Sequence, residues 1–423
     1  MRRRAGNDLI ELDGRTLEGG GQLIRIAYCL SSLTRIPVKV DNIRGNRSGG
    51  GGLKAQHLAC VQWLGRATNA QLSGAGKGSK TLLFTPEKFT GEPCPAYTKK
   101  TLQDGRRVYE CRLDIGTAGS TGLALQAILP FILFSTLPSP LPIHLRLSGG
   151  TNVSGSPSFE YIKHVLLPTL SRIGFPAITA TLSQRGWSHG GTSIGNFTLE
   201  LPPRTSTLLP AFQYRPTETT STPSPPTSLR AIFLAPISCH HHLTNTLQTS
   251  ITTHFTPQNF PLGHGGTLAI HHEDTQNDKR MYLILIATIP HPEAPQGSYI
   301  LARDRLYDKK IRKHDEAAAE MADAVTRELV QEWKSGAWVD EHMRDQLVVF
   351  QALARGRSGV FPGVDEDGEE REPSLHARTA EWVSTQILGV KFDSKGNCEG
   401  VAYGDEDEGA SDRLAKGLAE LKV

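Results

Sequence analysis

The amino-acid sequence predicts a mixed α/β (α+β) protein of helix-plus-sheet units, interrupted late in the chain by a smaller α/β domain. Three observations carry that expectation. The stretches GGGQLIRIAYCLSSLTRIPVKVDNI, AGSTGLALQAILPFILFSTLPSPLPIHLRL and DEHMRDQLVVFQALARGRSGVF each run from a polar turn into an apolar helix, a weak internal repeat. The segment RPTETTSTPSPPTSLR (215–230) is rich in Pro, Ser and Thr and reads as a flexible loop or linker. After it, LRAIFLAPI (229–237) and MYLILIATI (281–289) read as buried strands that bracket a segment of mixed helix and strand character.

Taken in order, the first helix follows the glycine turn at 19–21, with Leu23, Ile26, Leu30 and Leu33 on one face, and leads into the strand PVKVDNI. The run LALQAILPFILFSTL (123–137) is too short for a membrane span and carries a proline, so it reads as a buried helix. DEAAAEMADAVTRELVQEWKSG (315–336) is an amphipathic helix with Ala318, Met321, Val325 and Leu329 on one face and Gly336 as its stop. A true repeat would give several such units sharing one core, with polar turns gathered at the helix starts. The expected division is 1–204 for the first part of the large domain, 205–298 for the insert and 299–423 for its last part.

The 423 residues suffice for more than one domain. A net charge of +3 is too weak for nucleic-acid binding by bulk charge, so any anion site must be local. The six cysteines are scattered without a C-x-x-C pair, which argues against a disulfide framework or zinc site and for a reducing compartment, with no disulfide-linked partner expected. The basic start MRRRAGNDLIELDG lacks the apolar stretch of a secretory signal, and no membrane association is expected. The acidic runs DEDGEEREP (365–373) and GDEDEGASD (404–412) read as solvated loops.

The chemistry concentrates in two stretches, LEGGGQLIR (17–25) and NIRGNRSGGGGLKAQH (42–57). A glycine turn opening a helix presents backbone N–H groups and the positive end of the helix dipole, which suits a phosphate. Arg25 lies one turn later, and Glu18 can hold a divalent metal or accept hydrogen bonds from the helix start. Neither a Walker A loop nor a dinucleotide fingerprint is present. Arg44 and Arg47 carry guanidinium forks that match phosphate oxygens, although ordinary surface arginines on an exposed loop would read the same. Gln56 and His57 close the motif. Elsewhere, SLHARTAEW (374–382) holds a lone His376 before a helix, ordinarily a structural position, and HMRDQLVVF (342–350) has Asp345 and Gln346 starting an apolar helix, where capping accounts for the aspartate. The histidines of SCHHH (238–242) and His271-His272 have no suitably spaced acidic or cysteine partner for a metal site.

In this order the stretches LEGGGQLIRIA, NIRGNRSGGGGLKAQHL, LLFTPEKFTGE, TAGSTGLALQAILP, LSGGTNVSGSP, DEHMRDQLVVFQALARG and SLHARTAEW resemble the RNA 3′-terminal phosphate cyclase family, over residues 9–200 and 297–390. The resemblance implies three related βαβ-type units, each a sheet backed by two helices, with the insert interrupting the third. It implies an ATP-dependent, ligase-type reaction on RNA bearing a 3′-phosphate, through enzyme–histidine–AMP and RNA-adenylate intermediates, ending in a 2′,3′-cyclic phosphate. Carried over by motif, His376 is the nucleophile. Asp345, Gln346, Gln126 and Pro157 form the nucleotide pocket, with His342 where the family has tyrosine. Glu18 would hold Mg²⁺ or Mn²⁺. Arg25, Arg47 and Arg44 would stabilise the transition state or grip the RNA phosphate, with Gln56 and His57 on the substrate side. A nuclear location, with the cytoplasm as the alternative, follows from the same resemblance.

Three departures accompany the likeness. The loop SGGGGLKAQH is one residue longer than the family pattern and lacks its proline, GWSHGGTSIGN (186–196) matches poorly, and the acidic run 365–373 would oppose RNA entry from the mouth of a site. Two rivals remain open at this stage: a non-catalytic cyclase-like factor that binds pre-ribosomal RNA, against which the histidine of SLHARTAEW speaks, and an enolpyruvyl transferase, whose lysine and arginine motifs are missing.

Overall fold

The computed structural model describes residues 9–88, 94–135, 137–204, 208–217, 223–255 and 267–404. The first sheet contains β1 (Ile10–Asp13), β2 (Val38–Asp41), β3 (Gln71–Ser73) and β4 (Leu82–Thr85), in the order β1-β2-β4-β3, with helices α1 (Gly21–Thr34) and α2 (Ala55–Ala67). Strands β1 and β2 are parallel, so a crossover must join them, and α1 is that crossover. In β2 the alternation is clear: Val38 and Val40 are buried, while Lys39 pairs with Glu11 on the other face.

The second sheet is built from β5 (Thr98–Thr101), β6 (Arg107–Asp114), β7 (Ile143–Gly149), β8 (Thr179–Gln184) and β9 (Gly195–Leu201), in the order β5-β6-β7-β9-β8. Helix α3 (Thr121–Phe134) crosses between the parallel strands β6 and β7. A helical run of α4 (Phe159–Tyr161), a π-helical turn (Ile162–Leu166) and α5 (Leu167–Arg172) precedes β8. Strands β6-β7-β9-β8 thus follow the same path as β1-β2-β4-β3. The expected buried helix at 123–137 is α3, whose proline lies inside it at Pro130.

Strand β10 (Gln213–Tyr214) is followed by the insert sheet of β11 (Ser228–Ala235), β12 (Thr267–Asp274), β13 (Tyr282–Pro290) and β14 (Ser298–Leu306), ordered β12-β11-β13-β14, with α6 (His240–His254) between β11 and β12. Strand β14, which the sequence boundary at 298 assigns to the last part of the large domain, pairs antiparallel with β13 from end to end. The amphipathic helix α7 (His314–Lys334) packs on α6 and β14, and Ala318, Met321, Val325 and Leu329 are buried there. The chain returns through α8 (Glu341–Leu353), β15 (Arg355–Val360), α9 (Leu375–Leu388) and β16 (Cys398–Val401). Strand β15 lies between β10, to which it is parallel, and β16, to which it is antiparallel.

Two expectations need correction. Helix α1 is not amphipathic in place: every residue from Gly21 to Leu33 is buried, because α2, α3 and α9 pack around it. The Pro/Ser/Thr-rich segment is tied down on both sides of 218–222, which lie outside the described residues: Arg215 pairs with Glu370, and the Ser224 carbonyl accepts a hydrogen bond from Trp333 Nε1 at 2.9 Å. The acidic tail lies beyond Gly404 and also falls outside the described residues. All six cysteines are free, and no helix of the described residues is long and apolar enough to cross a membrane.

Candidate active site

One cleft of about 980 Å³ is lined by Glu18, Arg25, Arg44, Arg47, Gln56, His57, Gln126, Pro157, His342, Asp345, Gln346 and His376, which are all of the site residues expected from sequence. They come from α1 and the turn before it, the loop 42–54, α2, α3, the turn before α4, α8 and α9, segments far apart in the chain that meet at helix starts. The contact between α1 and α9 closes the first part of the chain onto the last: the Glu18 backbone N–H donates to Thr379 Oγ1 at 3.2 Å.

The basic wall is preorganised. Arg25 is 7% exposed and donates from Nε to Gln126 Oε1 at 2.8 Å and from Nη2 to Gln22 Oε1 at 2.5 Å. Burial lowers its pKa to about 10, with Asp345 acting in the opposite direction, so it stays a cation at neutral pH. Gly21 is required beside it, because a Cβ there would stand 2.7 Å from both Arg25 Nη1 and His57 Nε2. His57 Nδ1 accepts the Lys54 backbone N–H at 3.3 Å, which leaves the proton of the neutral ring on Nε2, facing that turn. Burial first, then Arg25, Arg44 and Lys54, lower the His57 pKa to about 3. Gln56 Oε1 accepts the Ser120 N–H at 3.1 Å and ties the first unit to the second. Arg44 donates to the Gly52 carbonyl at 3.3 Å, so the long glycine loop folds back onto its own arginine.

Glu18 is nearly buried. One carboxylate oxygen accepts the Gly20 N–H at 2.8 Å and the other pairs with Arg47. Among the described residues no three His, Cys, Asp or Glu side chains are grouped to hold a metal alone. A divalent ion at Glu18 therefore fits only in the manner common for Mg²⁺, with one carboxylate and the remaining positions taken by phosphate and water, and only once Arg47 has turned away.

His376 faces the cleft from the first turn of α9, whose N-cap Ser374 Oγ accepts the Ala377 N–H at 3.1 Å. Although its edge is open to solvent, crowding by the walls lowers its pKa, and Arg25, Arg47 and His342 push in the same direction. These causes together disfavour the imidazolium. Opposite it, burial raises Asp345 to about 7, with His342 and Arg25 opposing and Asp340 reinforcing. Asp304 is raised for the same leading reason and accepts Tyr282 Oη at 2.8 Å.

The expectation that Asp345 caps its helix is corrected. Helix α8 starts earlier, at Glu341, and its cap is Asp340, whose Oδ1 accepts the Met343 N–H at 3.0 Å and Tyr161 Oη at 2.7 Å. Asp345 is left inside the helix with its side chain at the cleft. His376 likewise lies within α9 rather than ahead of it. None of residues 365–373 lines the cleft; that run folds as a turn in which Glu370 holds Arg215 and Arg371 holds Glu332. His240 and His272 stack at 4.8 Å, with His272 Nε2 bonded to Thr244. Sequence reading missed the wall supplied by the insert: Tyr282, Asp304, Arg305, Tyr307, Asp308 and Lys309. The signal available was RDRLYDKKIRK, a dense run of cations directly after a buried strand.

The sequence profile of the RNA 3′-terminal phosphate cyclase family matches residues 16–394, a stretch that contains every one of the expected cleft residues. The chain belongs to this family. Curated relatives named RNA 3′-terminal phosphate cyclase match the chain. The protein of Methanosarcina mazei is 31% identical over 92% of this chain and 97% of its own, and that of Pyrococcus furiosus is 26% identical over 92% and 96%. A relative from Desulfurococcus amylolyticus reaches 40% identity over 43% of this chain and 45% of its own. The ring of His342 lies beside Arg303, with Nε2 3.5 Å from Nη1.

Proposed function

We propose that this chain converts the 3′-terminal phosphate of RNA to a 2′,3′-cyclic phosphodiester at the expense of ATP. An imidazole nitrogen of His376 attacks the α-phosphorus of ATP, forming a P–N bond as the α–β bridge breaks and pyrophosphate leaves. A terminal phosphate oxygen of the RNA then attacks that phosphorus, the P–N bond breaks and an RNA-adenylate forms. The vicinal 2′-hydroxyl, losing its proton, attacks the 3′-phosphorus and AMP departs. The overall reaction is of the ligase type, with ATP as co-substrate.

The observation that carries this reading is the position of His376 in one cleft with Arg25, Arg47 and Glu18. Neutral imidazole keeps the lone pair that the first step needs. Arg25, clamped by Gln22 and Gln126, offers a fixed cation to charge developing on phosphorus, and losing such a donor typically costs about 2–4 kcal/mol of barrier. Asp345, Gln346, Gln126, Pro157 and His342 would receive the nucleotide, and Arg44, Arg47, Gln56 and His57 the RNA phosphate. Glu18 would hold Mg²⁺ or Mn²⁺, which when bound offsets charge on the phosphates. The curated relatives quoted above are archaeal and lend no support to a nuclear location.

The test is incubation with α-labelled ATP and Mg²⁺ in the absence of RNA. Acid-labile label on the wild type, absent from His376→Ala, is the expected result. Folded wild type that binds RNA but takes no label would overturn the cyclase reading in favour of a non-catalytic RNA-binding factor.

A further inference from the structure

The residues assigned to RNA so far meet only its terminal phosphate, and the net charge of +3 leaves the body of the chain without an evident counterpart. The insert supplies one. Where β14 ends, the chain runs along the cleft wall through Arg305, Tyr307 and Lys309 and continues outward as Lys309-Lys310-Ile311-Arg312-Lys313 before α7 begins. Four of these five residues are cations, and all four are exposed.

The segment is anchored rather than loose. Asp308 accepts Ser154 Oγ at 2.5 Å, which fastens it to the large domain. Tyr307 and Ile311 pack against the core, Lys309 pairs with Glu320, and Lys313 pairs with Glu316 at 2.7 Å. With both ends held and Ile311 packed against the core, Lys310 and Arg312, its neighbours in the chain, are exposed and make no ion pair or hydrogen bond among the described residues. Two unpaired cations on an anchored segment that continues from the cleft wall form a local anion track of the kind that bulk charge does not provide. At about 3.3 Å per residue the five residues reach at most ~16 Å, enough to meet more than one backbone phosphate.

Resting on the cyclase reading above, we propose that the segment 309–313 binds the phosphodiester backbone of the RNA on the 5′ side of its terminal nucleotide, with Lys310 and Arg312 as the contacting cations. Contacts of this kind are sequence-independent and salt-dependent, so the insert would set affinity for long RNA without touching the chemistry.

The experiment compares wild type with the double variant Lys310→Glu/Arg312→Glu in three measurements. Affinity for a 5′-labelled single strand of about 20 nucleotides ending in a 3′-phosphate should weaken on the order of tenfold, and its log–log salt slope should fall by about 0.7 per contact removed. The KM for a nucleoside 3′-monophosphate should not move, because that substrate has no phosphodiester for the segment to bind. Labelling of His376 by ATP alone should be unchanged, which also shows the variant to be folded; Lys310→Gln/Arg312→Gln should give a smaller effect in the same direction. Unchanged affinity and salt slope in a labelled variant would overturn the track and leave the cyclase reading standing. Weakened binding in a protein that ATP never labels would leave the track standing and sink the cyclase reading.

Discussion

Helices α1 and α3 occupy the same place in two sheets of matching path, yet they start differently. At α3, Ser120 Oγ accepts the Leu123 N–H at 3.1 Å and satisfies part of the helix end from within. At α1 the N-cap is Gly20, with no side-chain cap at all. The glycine that follows each cap differs as well. Gly21 makes room for Arg25 and His57, whereas Gly122 makes room for the Pro157 carbonyl, 2.2 Å from where its Cβ would be. Both helix starts border the cleft, but the glycine at α1 makes room for side chains and the one at α3 makes room for backbone.

The contrast can be broken by experiment. Arg25→Ala should lower the rate of RNA cyclisation by about 10²- to 10³-fold with little change in melting temperature, since it removes a cation and leaves two glutamines beside a cleft. A loss under tenfold in single-turnover assays would place the charge elsewhere. Gly21→Ala meets only the far ends of two side chains, so it should cost roughly 10- to 100-fold in rate by displacing them. Gly122→Ala meets backbone and should appear in denaturation curves as a loss of about 1–3 kcal/mol. Ser120→Ala should cost about 1 kcal/mol of stability through the lost cap. Equal stability of the two glycine variants would erase the distinction between the helix starts.

A pH dependence tests the same cleft from the side of its buried carboxyl. In the folded protein Asp345 is raised to about 7 from 3.8, so between those values the native state binds a proton that the unfolded chain has released. Stability from this group is present below 3.8 and is lost as pH rises through 7. Asp345→Asn should therefore gain stability relative to wild type at pH 8 compared with pH 4, measured by urea denaturation. A difference that does not change with pH would mean that the carboxyl is not desolvated.

Legibility in the sequence varied with how local the determinant was. The glycine turn, the apolar run that became α3, the strands β11 and β13 and the face of α7 were readable because each depends on residues next to one another. The cap of α8 was misplaced by a turn because Asp340 and Asp345 both precede apolar residues, and only the backbone path shows which one accepts the Met343 N–H. The burial of α1 on all sides was unreadable, since its neighbours α3 and α9 lie about 100 and 350 residues further on. The wall from the insert was missed for a related reason: Arg305 to Lys309 reach the cleft only because β14 pairs along β13 and delivers its end there.

By itself the sequence determined the secondary structure of its strongly patterned segments, the family, and the identity of the groups available for chemistry, because these depend on side-chain type and short-range order. Tertiary structure alone decided that His376, Arg25, Glu18 and Asp345 share one cleft, that the His376 pKa is lowered while that of Asp345 is raised to about 7, and that Glu18 is already engaged by Arg47. The physical reason is that desolvation and charge–charge coupling are set by distance in space, and the helix starts that bring these groups together come from units hundreds of residues apart.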